Sequence, residues 1–202
     1  PFQSIKAAQF GLQTPAILVS NSRKEIRSFV ETKPAITKPL GGLGYMFDGS
    51  AIMSVYTTSV DQSYIENIST DVIFPSFLQE RIQSQYELKC ILVGGEVYCV
   101  KQYSVEDGGI PTTDIKTAIA EKKIKKVQYH LDSSVANKVV NLCQHYKLDL
   151  CTFDLIYDGL KGYIFIEINP DGIIEYYGEF LDTPIHEAIF RLLVDKAVMA
   201  NN

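Results

Sequence analysis

Cys151-Thr152-Phe153-Asp154-Leu155-Ile156-Tyr157, the turn Asp158-Gly159-Leu160-Lys161-Gly162, and then Tyr163-Ile164-Phe165-Ile166-Glu167-Ile168-Asn169 decide how this chain reads. Two runs rich in β-branched and aromatic residues flank a glycine-containing turn, the pattern of a β-hairpin. Side chains two apart on a strand share a face, so Glu167 and Asn169 project together, about 7 Å apart along the backbone. The turn leaves Asp154 opposite either Ile166 or Glu167, and that one-residue difference decides its face. On a common face, Asp154, Glu167 and Asn169 offer hard oxygen donors and two negative charges, a set suited to Mg2+ and to a nucleotide's phosphates beside it. The plainer alternative is a polar sheet face. Among Tyr163, Ile164, Phe165, Ile166 and Ile168, however, a carboxylate is costly without a partner.

Upstream, Ile36-Thr37-Lys38-Pro39-Leu40 is an apolar strand interrupted by one cation, and Gly41-Gly42-Leu43-Gly44 follows it. Glycines leave backbone N–H groups free to approach phosphates, and Lys38 adds charge. No Gly-Lys-Ser/Thr follows, so this is not a P-loop. Glu87–Val93 and Glu96–Tyr103 around Gly94-Gly95 spell a hairpin with a two-residue turn, which sets Cys90 opposite Cys99. These two are expected as reduced, buried thiols that pack as small apolar groups.

Helices are expected over 1–10, stopped at Gly11; from Asn21 or Ser22 to Glu31; from Asp132 or Ser133 to Lys147; and from Thr183 with Pro184 in its first turn. The last should bury Ile185, Ile189, Leu192, Leu193 and Ala197. Strands are expected at 16–19, 34–40, 51–60 and 77–83. Residues 104–130 lack periodicity and read as a loop, with Lys122, Lys123, Lys125 and Lys126 on a solvated face. His130, His145 and His186 are expected at surface or capping positions.

The 202 residues are 46% apolar and 21% charged, with 19 basic and 24 acidic side chains and a net charge of −5. No apolar run approaches the roughly 20 residues of a membrane span, and a broad nucleic-acid footprint does not fit the acidic balance. Four cysteines without metal-ligand spacing suit a reduced cytoplasm. The charge is uneven. Residues 1–39 carry six basic and two acidic side chains, whereas 127–202 carry five basic and eleven acidic ones. The expected reading is a chance gradient over solvated faces; a polyanion at the front and a cation at the back would also suit that polarity.

The order of these features resembles the ATP-grasp superfamily across nearly the whole chain. The matching phrases are Lys38-Pro39 before a glycine loop, Phe77-Leu78-Gln79-Glu80-Arg81-Ile82 as a hinge strand, Glu87-Leu88-Lys89, and Phe153-Asp154 with Ile166-Glu167-Ile168-Asn169-Pro170. The resemblance implies an α+β fold in which two subdomains with mostly antiparallel sheets, 1–78 and 79–202, clasp ATP. It implies that Lys38 touches the nucleotide and that Gly41, Gly42 and Gly44 cover its phosphates. Gln79, Glu80, Arg81 and Ile82 would hold adenine, largely through backbone groups, and Glu87 the ribose. Asp154, Glu167 and Asn169 would hold Mg2+, with Lys89 as the catalytic cation near the γ-phosphate.

Gly11-Leu12-Gln13-Thr14-Pro15, Tyr86-Glu87-Leu88-Lys89, Asn169-Pro170-Asp171-Gly172 and Pro184-Ile185-His186-Glu187 look most like the maturases of microviridin-type peptides, the graspetides. That branch implies phosphorylation of a side-chain carboxylate in a precursor peptide of leader and core, then attack by a Lys amine or a Ser or Thr hydroxyl. Homodimers are frequent there. Three departures stand out: Lys89 replaces an arginine, Ile173-Ile174 replaces a Gln-aromatic pair, and Lys101-Gln102-Tyr103-Ser104 lacks an Asp-aromatic-Arg segment. The family's N-terminal domain is also expected to be missing from this stretch. Two alternatives remain open: a ligase for amino acids or other small carboxylate and amine substrates, and a binding module without turnover.

Overall fold

The computed structural model describes residues 2–40, 45–48, 51–54, 57–104 and 124–200, so Gly41, Gly42 and Gly44 and most of the expected loop lie outside the described residues. The elements run α1 (Phe2–Gln9), β1 (Ile17–Ser22), α2 (Arg23–Thr32), β2 (Ala35–Lys38), β3 (Tyr45–Asp48), β4 (Ala51–Ser54), β5 (Thr58–Val60), α3 (Gln62–Glu66) and β6 (Val72–Glu80). They continue as β7 (Tyr86–Val93), β8 (Glu96–Ser104), β9 (Ile124–Tyr129), α4 (Ser133–His145), β10 (Leu150–Asp158), β11 (Gly162–Asn169), α5 (Ile174–Gly178) and α6 (Ile185–Ala200). The fold is α+β, and its sheets pair antiparallel throughout. The described residues fall into two units, one within 15–83 and the other comprising 2–14, 84–104 and 124–200. No described helix is long and apolar enough to cross a membrane.

The first unit carries a four-stranded sheet in the order β1-β6-β2-β5 and a separate β3-β4 pair. α2 presents Ile26, Phe29 and Val30, as its periodicity predicts, to a core of Ala35, Val60, Ile65 and Leu78. Ser22 stands at the N-cap without a side-chain bond; the Arg23 amide donates instead to the Asp71 carbonyl at 3.0 Å. The expected strand over 51–60 is in fact β4 and β5, which lie in different sheets. β6 starts at Val72 and runs through Pro75, earlier than the proline suggests. The reason is local: β2 pairs with β6 only from Phe77 onward, and the β1 ladder is irregular between Ser20 and Ser22. A residue without an N–H is tolerated at such an interruption.

The second unit carries a five-stranded sheet in the order β11-β10-β7-β8-β9. β7 and β8 form the expected hairpin, with Glu87 opposite Gln102 and Cys90 opposite Cys99. Gly94 and Gly95 both take positive φ, +61° and +98°, as its two-residue turn requires. One face of the sheet buries Leu88, Leu92, Phe153, Leu155 and Phe165 under α1 and α4, with Ala7, Val139 and Leu142 facing them. Part of the other face, Ile91 and Val93, is covered by Ile185 and Ala188 of α6. Leu193, expected inside, is 61% exposed.

One cysteine expectation changes. Cys90 and Cys99 form a disulfide, their Cα atoms 4.1 Å apart, rather than two free thiols. Direct cross-strand partners in an antiparallel ladder come this close in the pairs that exchange no hydrogen bonds, which places the two sulfurs side by side. Cys143 and Cys151 stay as buried thiols, but folding brings their sulfurs to 3.7 Å. A second change concerns 124–129, which form the edge strand β9 rather than loop. Its lysines alternate with Ile124, Val127 and Tyr129 too weakly for a period-two signal.

Phe153 is fully buried at the centre of the larger core. Phe153→Ala should therefore cost about 3–5 kcal/mol in a urea unfolding curve. Thiol titration of the denatured, unreduced protein should find two reactive cysteines, Cys143 and Cys151, and four after reduction.

Candidate functional site

The pairing between β10 and β11 changes register between Asp154 and Leu155. Leu155 faces Phe165 but Asp154 faces Glu167, so Ile166 is an extra residue in β11. Such a bulge turns every later side chain to the other face. Without it, Glu167 would lie with the core; with it, Asp154 faces Glu167 and Thr152 faces Asn169. The alternative left open by the turn length is thereby closed in favour of a shared face.

That face carries parallel cross-strand rows. Lys126, Gln102, Glu87 and Ile156 form one; Gln128, Val100, Lys89, Asp154 and Glu167 form the next; Tyr98, Ile91, Thr152 and Asn169 form the third. Five of the residues singled out in the sequence, Glu87, Lys89, Asp154, Glu167 and Asn169, thus sit together. Lys89 Nζ donates to Asp154 Oδ2 at 2.5 Å. Burial works against the Lys89 ammonium, but the charge and hydrogen bond of Asp154 outweigh it, so the amine is held above its usual pKa.

The Tyr177 ring lies 5.7 Å from the same ammonium. Burial pushes the Tyr177 phenol up, against the opposing pull of Lys89. Asp154 Oδ1 is buried against the ammonium in ion-pair contact but makes no hydrogen bond. It therefore keeps acceptor capacity.

Asn169 is fixed by its own turn. Its Oδ1 accepts from the Asp171 amide at 3.0 Å, and its carbonyl accepts from the Thr152 hydroxyl at 3.4 Å. Gly172 folds back so closely that a Cβ there would lie 1.8 Å from Thr152 Oγ1. Only glycine closes the Asn-Pro-Asp-Gly turn over this strand. The side-chain oxygen of Asn169 keeps a second lone pair, so this face offers two carboxylates and one oriented amide oxygen. Among the described residues no three His, Cys, Asp or Glu side chains group as a metal site. Hard oxygens with an unsatisfied buried Oδ1 fit Mg2+, which keeps several waters and takes few protein ligands.

In the first unit, Lys38 ends β2 opposite Phe77, and Ile36 faces Gln79, so Lys38 and the buried Gln79 share the sheet face turned away from the Ile26 core. Glu80 is tied to Ala16 twice: its amide donates to the Ala16 carbonyl at 2.8 Å, and its Oε2 accepts from the Ala16 amide at 3.1 Å. The Arg81 amide donates to the Pro34 carbonyl at 2.8 Å. Ile82 is 5% exposed. The hinge stretch is thus held by its backbone, with the Glu80 carboxylate already engaged.

Sequence reasoning missed Ile166, Tyr177, Gln102 and Lys126. The cluster Tyr176-Tyr177-Gly178-Glu179-Phe180, shortly after the Asn-Pro-Asp-Gly turn, was the available signal for Tyr177. Nothing local marks a bulge inside Ile164-Phe165-Ile166. His130, His145 and His186 are exposed, as expected.

No protein-family model matches the chain, and no curated protein sequence does. Solved structures do. The chain is 25% identical to a RiPP-associated ATP-grasp ligase from Chryseobacterium gregarium, solved in complex with ADP and a leader and core peptide, with a TM-score of 0.85. It is 26% identical to the macrocyclase MdnC from Microcystis aeruginosa MRC, bound with precursor peptide MdnA, with a TM-score of 0.79. The ATP-grasp ligase PsnB, complexed with a phosphomimetic variant of minimal precursor, Mg and ADP, shares the fold at 17% identity and a TM-score of 0.69, over 95% of this chain and 57% of that one. The first two matches cover 96% of this chain but 59% and 60% of theirs, so the chain spans about three fifths of those proteins. By its fold, its motif order and these likenesses, the chain has the ATP-grasp fold and is similar to peptide-maturing ATP-grasp ligases.

Proposed function

We propose that this chain belongs to an ATP-dependent ligase that phosphorylates a side-chain carboxylate of a ribosomal precursor peptide and joins it to a Lys amine or a Ser or Thr hydroxyl. The observation that carries this reading is the bulge at Ile166, which sets Asp154, Glu167 and Asn169 beside Lys89. The two similar proteins with peptide bound support the peptide as substrate. A carboxylate oxygen of the peptide attacks the γ-phosphorus of ATP, and ADP leaves. The amine or hydroxyl then attacks the acyl carbon, inorganic phosphate leaves, and the surplus proton passes to solvent.

The roles fall to residues singled out in the sequence. Mg2+, held by Asp154, Glu167 and Asn169, would offset the charge repulsion of phosphoryl transfer. Lys89 keeps its proton and presents a positive charge to the transferred phosphoryl group and the acyl phosphate. As a lysine it offers a point charge, without the two-pronged geometry of an arginine. Lys38 and the glycines 41, 42 and 44 would take the phosphates. Gln79, Glu80, Arg81 and Ile82 would take adenine through the backbone, which agrees with the occupied side chain of Glu80. Glu87 would take the ribose hydroxyls.

The direct test is ADP release by the full protein with Mg2+, ATP and a candidate precursor, with mass spectrometry of the product: each ring closed removes one water. Glu167→Gln should lower that rate about 100-fold or more with an unchanged circular-dichroism spectrum; a wild-type rate would remove Glu167 from the metal set. Deleting Ile166 should leave Glu167 opposite Asp154 in a regular ladder, so Mg2+-dependent ATP binding, measured by calorimetry on a variant that still melts cooperatively, should be largely retained. Turnover with free amino acids but no peptide would reassign the substrate class.

A further inference from the structure

Lys126 lies on the site face of the second unit without a role so far. It faces Gln102, which faces Glu87, in the cross-strand row next to that of Lys89 and Asp154. Its ammonium sits over two aromatic rings, 5.3 Å from the centroid of Tyr176 and 5.5 Å from that of Phe180. The two rings meet edge to face at 5.7 Å. Among the described residues no carboxylate pairs with Lys126. Ring faces hold a cation in place without cancelling its charge, so this half-buried ammonium keeps a full positive charge to offer an anion.

Gln102 supplies a second, independent sign. The residue is 2% exposed, and its Oε1 is buried with no hydrogen-bond partner. A buried carbonyl oxygen left in that state is costly and calls for a donor. Among the described residues, an acceptor without a donor beside a cation without an anion is what one ligand carrying both an N–H and a carboxylate would satisfy.

The place of Lys126 in the sheet separates that anion from the nucleotide's phosphates. β9 and β11 are the opposite edges of the sheet, and β9 lies three strands from β10. At the usual strand spacing this is about 14 Å from the strand of Asp154. The phosphates belong with Asp154, Glu167 and Asn169, so the anion at Lys126 is a different group.

We propose that Lys126 and Gln102 form a subsite for a second acidic side chain of the peptide substrate, distinct from the carboxylate that is activated. Lys126 binds the carboxylate, and the Gln102 carbonyl accepts a backbone N–H of the same peptide. Tyr176 and Phe180 aim the ammonium. Lys126 is thus a specificity residue, and this assignment rests on the peptide-ligase reading above.

The test uses the full protein and a fluorescein-labelled peptide with two glutamates in a Thr- and Lys-containing background, followed by anisotropy, with Mg·ATP binding measured separately. Lys126→Met should weaken peptide binding about 10-fold, as loss of a charge-assisted bond does, while Mg·ATP affinity moves less than twofold. Lys126→Arg should restore most of it. Replacing one glutamate of the peptide by glutamine should weaken binding to the wild type and leave Lys126→Met unaffected. Equal peptide affinity of wild type and Lys126→Met, or no peptide binding by a wild type that binds Mg·ATP, overturns the subsite. Failure of the wild type to bind Mg·ATP overturns the ligase reading beneath it.

Discussion

Everything that makes the second unit a candidate site hangs on the line of side chains Lys89, Asp154 and Glu167 across three adjacent strands. A cation flanked by one carboxylate and a second carboxylate beyond it cannot be buried cheaply unless each charge is matched. The ladder meets this condition in part, by pairing Lys89 with Asp154. Glu167 reaches the same row only because β11 carries one residue more than its partner. The bulge therefore trades one irregular ladder position for a concentrated charge array on a face that also carries Ile91, Val93 and Val100.

The neighbouring turn completes this design. Asn169 is oriented by the Asp171 amide, and Gly172 is pressed onto Thr152, whose hydroxyl reaches back to the Asn169 carbonyl. An amide side chain on an open strand end samples several rotamers; one locked in such a turn presents its oxygen in a single direction. Preorganisation of this kind lowers the entropy lost on ligand binding. The same logic applies to α5, whose tyrosines restrict lysines that would otherwise be among the most mobile side chains of the sheet.

The sequence was most legible where local chemistry is strong. The Gly94-Gly95 turn set the register of β7 and β8 correctly, because a two-residue turn admits few pairings. The apolar stripe of α2 named its core residues for the same reason of period. Legibility failed where the deciding term is non-local. Nothing within Ile164-Phe165-Ile166 distinguishes a bulged from a regular strand, and Pro75 suggested a boundary that an interrupted neighbour ladder made unnecessary. β9 escaped notice because an edge strand with two adjacent lysines has no clean apolar alternation to display. The cysteines were misread for want of a distance: opposition across a hairpin is visible in sequence, whereas bond formation depends on which kind of antiparallel pair they occupy.

Tyr176 and Tyr177 are consecutive residues, yet each ring sits over a different lysine. The two ammonium groups, from strands β9 and β7, thus rest on one five-residue helix that is moored to β9 by the Asp182 amide on Gln128. Any displacement of that helix moves both supports at once, so the two positive charges are mechanically geared. Sequence change in the 173–182 stretch is consequently felt at two places on the sheet together, and drift at either lysine is constrained by the other's support.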